Sequence, residues 1–186
     1  MNTGYLWLLG TAVAWSFSGV FTKLNSQPGF LISAVSSVVA LLFYFIIIRP
    51  TIRVSKLVVA AGIAAYLMGI TFTYANKLTS VGSAIVLQYS SMAFVALYEA
   101  IEQRRVPPAR KVIVMALSGM VVFFLDSLSF EHVLGNLLAI ISGAFFGLMF
   151  FLNAKRGSSP VTSAMISCAI SVLPGLLFLP QLPHVA

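Results

Sequence analysis

The sequence predicts an all-α integral membrane protein, a polytopic helical bundle of about seven spans. Hydrophobic residues make up 60% of the chain and charged residues 8%, and the mean hydropathy is +1.02, far outside the range of a soluble domain. Charge-free runs recur along the whole chain at the length a helix needs to cross a hydrocarbon core of about 30 Å, roughly 20 residues. These runs lack the apolar/polar alternation that a membrane barrel requires, so helices are the remaining way to satisfy their backbone groups in lipid.

Taken in order, the spans are Tyr5 to Phe21, Gly29 to Ile48, Leu57 to Ala75, Val81 to Ile101, Val112 to Asp126, Gly135 to Leu152 and Val161 to Pro180. The first contains "AVA", Ala12 to Ala14, which resembles a cleavage site, but no basic n-region precedes it and the segment reads as a span. The turn "QPG" precedes the second span, and "GSSP" precedes the seventh. The fifth is the shortest, with about 14 residues between Lys111 and Asp126, and needs snorkelling ends or a thinner bilayer. Every connection is under about a dozen residues, which leaves no room for a soluble domain.

Orientation follows from the basic residues, which favour the cytoplasmic side. Alternate loops carry Arg49, Arg53 and Lys56, then Arg104, Arg105, Arg110 and Lys111, then Lys155 and Arg156. The opposite loops carry Lys23 and Lys77, which completes the 11. The N-terminus is therefore expected in the cytoplasm, with Asp126, Glu131 and His132 outside and the plasma (inner) membrane as the location. A basic inner rim beside an anionic leaflet accounts for the net charge of +7, so nucleic acid is not needed as a partner. Cys168 is the single cysteine and reads as a small apolar packing residue, with no internal disulfide available.

Aligning "GYLWLLGTAVAWSFSGVF" from Gly4 with "GNLLAIISGAFFGLMFFL" from Gly135 pairs Gly with Gly, Thr11 with Ser142 and Trp15 with Phe146. A repeat with an odd number of spans re-enters the membrane with opposite topology, a transporter signature. The same register lays the second span over Pro160 to Leu179. With the chain ending at Ala186, the second copy is expected to hold two helices of five.

"SAIVLQYSSMAFVALYEAIEQRRVP" followed by "LSGMVVFFL" resembles the EamA-type half-repeat of the drug/metabolite transporter superfamily. "AWSFSGVFTK" and "LGNLLAIISGAFFGLMFFLNAKRGSSP" are similar to the first helices of its two halves. The resemblance implies a complete five-helix repeat over residues 1–128 and a partial inverted repeat over 129–186. It further implies a carrier that exports small metabolites, amino acids or drugs through a central cavity. The family's fourth helix usually carries a proline where this chain has Met92, so the usual cause of a kink there is missing.

Helical spacing groups the polar residues of the spans. Gln88, Ser91, Val95, Tyr98 and Glu102 lie on one face of the fourth span, Thr11, Trp15, Ser18 and Thr22 on one face of the first, and Tyr66, Gly69, Thr73 and Asn76 on one face of the third. Facing one another, and with Tyr89, they would line a substrate cavity. Equally, such residues serve as small contacts and interhelical hydrogen bonds. Glu99, Glu102, Arg104 and Arg105 mark a cytoplasmic gate or salt bridge, and Glu102 resembles the glutamate that ends the family's fourth helix.

Three functions compete: a transporter of a small-molecule solute, a truncated non-transporting or accessory membrane protein, and an intramembrane enzyme. Enzyme chemistry has the least support, because His132 lies in a loop, His184 in the tail, and no metal set, nucleophile with a base, or P-loop occurs. No cofactor is implied. No acid sits in the middle of a span, so the expectation is uncoupled or substrate-gradient-driven transport, or coupling through residues not on this chain. Pairing of two chains stays open.

Overall fold

In the computed structural model, residues 3–106 and 132–178 are described. The predicted fifth span Val112 to Asp126, Arg110, Lys111, Glu131, His184 and the end of the seventh span lie outside them. So do the side chains of Trp15 and Ser18.

The described residues form helices α1 (Thr3–Leu24), α2 (Gly29–Phe43), α3 (Lys56–Leu78), α4 (Val81–Gln88), α5 (Ser91–Gln103), α6 (Val133–Asn153) and α7 (Pro160–Phe178), and no strand. A π turn, Tyr44–Ile48, continues α2. Among the described residues, five stretches are long and apolar enough to cross a membrane: Gly29–Ile48, Lys56–Leu78, Val81–Gln103, Val133–Asn153 and Pro160–Leu177. Serine caps start two of them: Ser55 Oγ accepts from the Val58 N–H at 3.2 Å and Ser80 Oγ from the Ser83 N–H at 3.0 Å, each satisfying one orphan donor of a first turn.

The fourth predicted span is not one continuous helix. It breaks at Tyr89–Ser90, where the bonds tighten to three-residue steps. Ser90 N–H reaches Leu87 O at 3.1 Å, and Met92 N–H reaches Tyr89 O at 3.2 Å. No proline is involved, so the absent family proline at Met92 did not remove the break. Short i→i+3 bonds inside a helix mark a local change of axis.

Helix α3 is the hub, packing on α6 and α7 and also touching α1, α2 and α4. Most of its buried residues are small: Ala61, Gly62, Ala64, Ala65 and Ala75 beside Val58 and Asn76. The largest fully buried side chains in the described protein are Val58, Asn76, Thr79, Thr162, Ser142 and Ser163. That is a core of small and polar groups, as expected where lipid tails are as apolar as leucine and helices adhere by close approach. Large apolar residues such as Val39, Phe45 and Leu177 face outward.

A close approach runs along α6, where Gly135, Ala139, Gly143 and Gly147 recur one turn apart. A Cβ on Gly135 would stand 2.8 Å from Leu78 and Thr79 backbone atoms, and one on Gly147 2.8 Å from the Ser91 carbonyl oxygen. Gly69 and Gly82 by contrast face open space within 4 Å. Gly135→Val and Gly147→Val should each lower stability by about 1–3 kcal/mol through overpacking, while Gly69→Ala and Gly82→Ala cost nothing. Unfolding in mixed detergent micelles measures all four, and equal effects at the two kinds of glycine would contradict the close seam.

Candidate functional site

The polar stripe of the fourth span faces α6. At the last residue of α4, Gln88 Nε2 donates to Ser142 Oγ at 3.0 Å. Ser142 Oγ in turn donates to the Met68 carbonyl oxygen at 3.0 Å. Gln88 is 8% exposed and Ser142 0%, so this chain ties α4, α6 and α3 together in the interior. Ser91 is buried, and its carbonyl meets Gly147. Tyr98 Oη donates to the Ala144 carbonyl oxygen at 3.1 Å, with its ring between Phe94 and Phe151. Ser90 Oγ is buried against Gly143 without a hydrogen-bond partner among the described residues. Tyr89 points away and is exposed.

The other two stripes are placed differently. On α3, Thr73 Oγ1 donates to the Gly69 carbonyl oxygen at 2.9 Å and lies 3.4 Å from Ser33 Oγ. Asn76 is fully buried, its Nδ2 donating to the Phe72 carbonyl oxygen at 3.0 Å while its Oδ1 has no partner among the described residues. Tyr66 is half-buried. On α1, Thr11 is exposed and Thr22 half-buried, and the helix meets α3 and α4.

The two ends of the bundle differ in charge. Lys155, just beyond α6, pairs with Glu102 on α5 and lies over the Phe151 ring, 4.2 Å from its centroid. Glu102 thus takes part in a salt bridge, with Lys155 rather than its sequence neighbours Arg104 and Arg105 as the partner. The reason is local: Arg104 takes a left-handed conformation, φ 49°, and Arg105 N–H closes the helix end on the Ala100 carbonyl oxygen at 3.0 Å, a Schellman turn. Glu99 is half-buried on the same helix. Arg53 N–H reaches Thr162 Oγ1 at 3.3 Å, which brings the loop before α3 to the start of α7. Arg49, Arg53, Lys56, Arg104, Arg105, Lys155 and Arg156 thus share one end.

Lys23 and Lys77 occupy the opposite end. Lys23 Nζ donates to the Thr79 carbonyl oxygen at 2.7 Å, and Lys77 Nζ to the Asn25 carbonyl oxygen at 2.8 Å. Each lysine caps the other helix. Nearby, Thr79 Oγ1 donates to Asn136 Oδ1 at 2.7 Å and His132 Nδ1 is 3.1 Å from the Leu78 carbonyl oxygen. No group of three or more His, Cys, Asp or Glu among the described residues could hold a metal ion.

Two members of this constellation were not singled out as site residues, Ser142 and Lys155. Ser142 was the position paired with Thr11 by the repeat register, a signal already pointing at it. Lys155 entered only as a loop charge. Ser142→Ala and Gln88→Leu should each cost about 1 kcal/mol, and the double variant should cost less than their sum. Fully additive losses in detergent unfolding would mean the two side chains do not couple.

No curated protein and no solved structure is significantly similar to the chain. The model of the EamA-like transporter family matches residues 2–127, which include α1 to α5 and the polar face that Gln88, Ser91, Tyr98 and Glu102 present to α6. The chain belongs to the EamA-like transporter family.

Proposed function

We propose that the chain is a carrier of small polar metabolites, amino acids or drugs that works by alternating access, with α5 as a moving half-helix. The observation that carries this reading is the break at Tyr89–Ser90. On one side of it, α4 is tethered through Gln88 and Ser142 to α3. On the other, α5 starts against α6 at Gly147, and its far end holds to α6 through Tyr98 and the exposed Glu102–Lys155 pair. An exposed ion pair is worth at most about 1 kcal/mol, so this latch opens at little cost. Family membership supports transport as the activity.

In this reading the family match, residues 2–127, delimits the first five-helix repeat, 1–128. Residues 129–186 begin the inverted copy, so the latch and the Gln88–Ser142 bond both cross between repeats. Seven spans are supported by the ends flanking residues 107–131: Val106 lies at the basic end of the bundle and His132 at the other. With the basic end in the cytoplasm of a plasma-membrane protein, the N-terminus is cytoplasmic. The spans hold no mid-membrane acid, so the carrier runs on the substrate gradient without protons.

Proteoliposomes loaded with a mixed pool of amino acids and small metabolites test the activity. At least one solute should leave faster than from empty-membrane controls, at a rate unchanged by a pH step. Glu102→Lys and Lys155→Glu should each change that rate several-fold and their combination restore it. Release no faster than controls for every solute would overturn the proposal, and a swap that fails to restore the rate would remove the latch from it.

Orientation is measured separately with an impermeant maleimide in a Cys168→Ala background. Arg105→Cys should label only in inside-out vesicles and Gln27→Cys only in intact cells. The opposite pattern would reverse the topology.

A further inference from the structure

Helix α2 packs chiefly on α7. The tightest of the described glycine contacts lies there: a Cβ on Gly175 would stand 2.1 Å from the Ala34 Cβ. Nearer the start of α7, the Ser37 hydroxyl hydrogen-bonds the Cys168 thiol. The contact thus moves forward along α2 from Ala34 to Ser37 while it moves back along α7 from Gly175 to Cys168, so the two helices cross antiparallel. Ala34 and Ser37 are buried, as is Ser171 between the two α7 residues. Such short side chains let membrane helices meet backbone to backbone.

The offset that lays Gly4 on Gly135 and Gly29 on Pro160 also lays Ser37 on Cys168. Ser37 therefore meets its own counterpart in the second copy. Two copies related by a two-fold axis bring a residue onto its counterpart only at that axis. Ser37 stands near the middle of the stretch Gly29–Ile48 and Cys168 near the middle of Pro160–Leu177. The crossing is thus at mid-membrane, where the axis of inverted repeats lies.

We propose that the crossing of α2 and α7 at Ser37 and Cys168 is the pivot on which the two repeats rock, a contact kept in both the inward-facing and the outward-facing state. The pivot rests on the carrier reading above. In an inverted-repeat carrier, one state is the other with the conformations of the two copies exchanged. That exchange carries the pair Ser37 and Cys168 onto itself, so the contact survives it. It carries Glu102 and Lys155 onto a different pair, which makes the latch specific to one state. Lever arms point the same way, because rocking moves atoms in proportion to their distance from the pivot. The ends of α2 and α7, about ten residues off at roughly 1.5 Å per residue, lie about 15 Å away and move furthest.

Ser37→Cys is a one-atom change that sets a second thiol against Cys168. Copper phenanthroline should close the two into a disulfide, read as the loss of both free thiols. In proteoliposomes loaded with the mixed pool of amino acids and small metabolites, the bridged protein should release solute within about twofold of the rate of its reduced form. Glu102→Cys with Lys155→Cys, joined by a short bifunctional methanethiosulfonate in a Cys168→Ala background, should cut release by about tenfold until the bridge is reduced. A Ser37→Cys bridge that stops release, with recovery on reduction, would overturn the pivot while leaving the carrier reading intact. Thiols that stay unpaired would overturn it as well, by separating the two side chains. No release by the unmodified protein would overturn the carrier reading itself, and the pivot with it.

Discussion

The backbone seam between α6 and its neighbours is the constraint on which the rest of the bundle depends. In lipid, burying an apolar side chain between helices gains little, because the displaced acyl chains are equally apolar. Adhesion then comes from how near two backbones can come, and that is decided by the absence of side chains. Gly135, Gly143 and Gly147 supply it on α6, along one face, against the end of α3, the break after α4, and the start of α5. The hydrogen bonds from Gln88 to Ser142 and from Ser142 to Met68 contribute on the order of 1 kcal/mol each. They select the register of the seam, and its close contact over several turns supplies the adhesion.

Charge at the two ends follows a different rule. Among the described residues, the basic end carries the ion pair of Glu102 with Lys155, and Arg49 Nε donates to the Ile46 carbonyl oxygen. At the other end the two lysines are used as helix caps: α1 and α3 both finish there, and each offers carbonyl groups with partial negative charge. Lys23 and Lys77 neutralise one another's helix ends. They therefore have a local structural reason for standing on the side that the overall basic bias avoids. The same pair clasps α1 to α3.

The helical membrane class was legible because it rests on composition and run length, which need no tertiary contacts. The face formed by Gln88, Ser91, Tyr98 and Glu102 was legible too, since helical spacing alone groups residues on one side, and all four meet α6. The partners were not. Glu102 has two arginines within three positions, and proximity in sequence favoured them. A left-handed residue at Arg104 turns the chain there, while the α6 helix delivers Lys155 from more than fifty positions away. Nor could spacing distinguish an exposed Thr11 from a buried Gln88, because both sit on periodic stripes and only the packing of whole helices decides which stripe is covered.

The break at Tyr89–Ser90 also shows why the residue type matters more than the presence of a kink. A proline bends a helix permanently, since it lacks the N–H that a straight helix would use. Tyr89, Ser90, Ser91 and Met92 all keep theirs, and the Ser90 and Met92 N–H groups bond three residues back, to Leu87 and Tyr89, in place of the i→i+4 set. A bent and a straight form of this span can therefore both satisfy the backbone, which in lipid is the condition for either to be populated. Ser90 Oγ, buried with no partner among the described residues, is a group that gains from leaving the bent form. In the proposed cycle the hinge is thus bistable by chemistry. Gln88 holds one arm to Ser142 and Met68, and the weak Glu102–Lys155 contact at the far end of the other arm decides which form prevails.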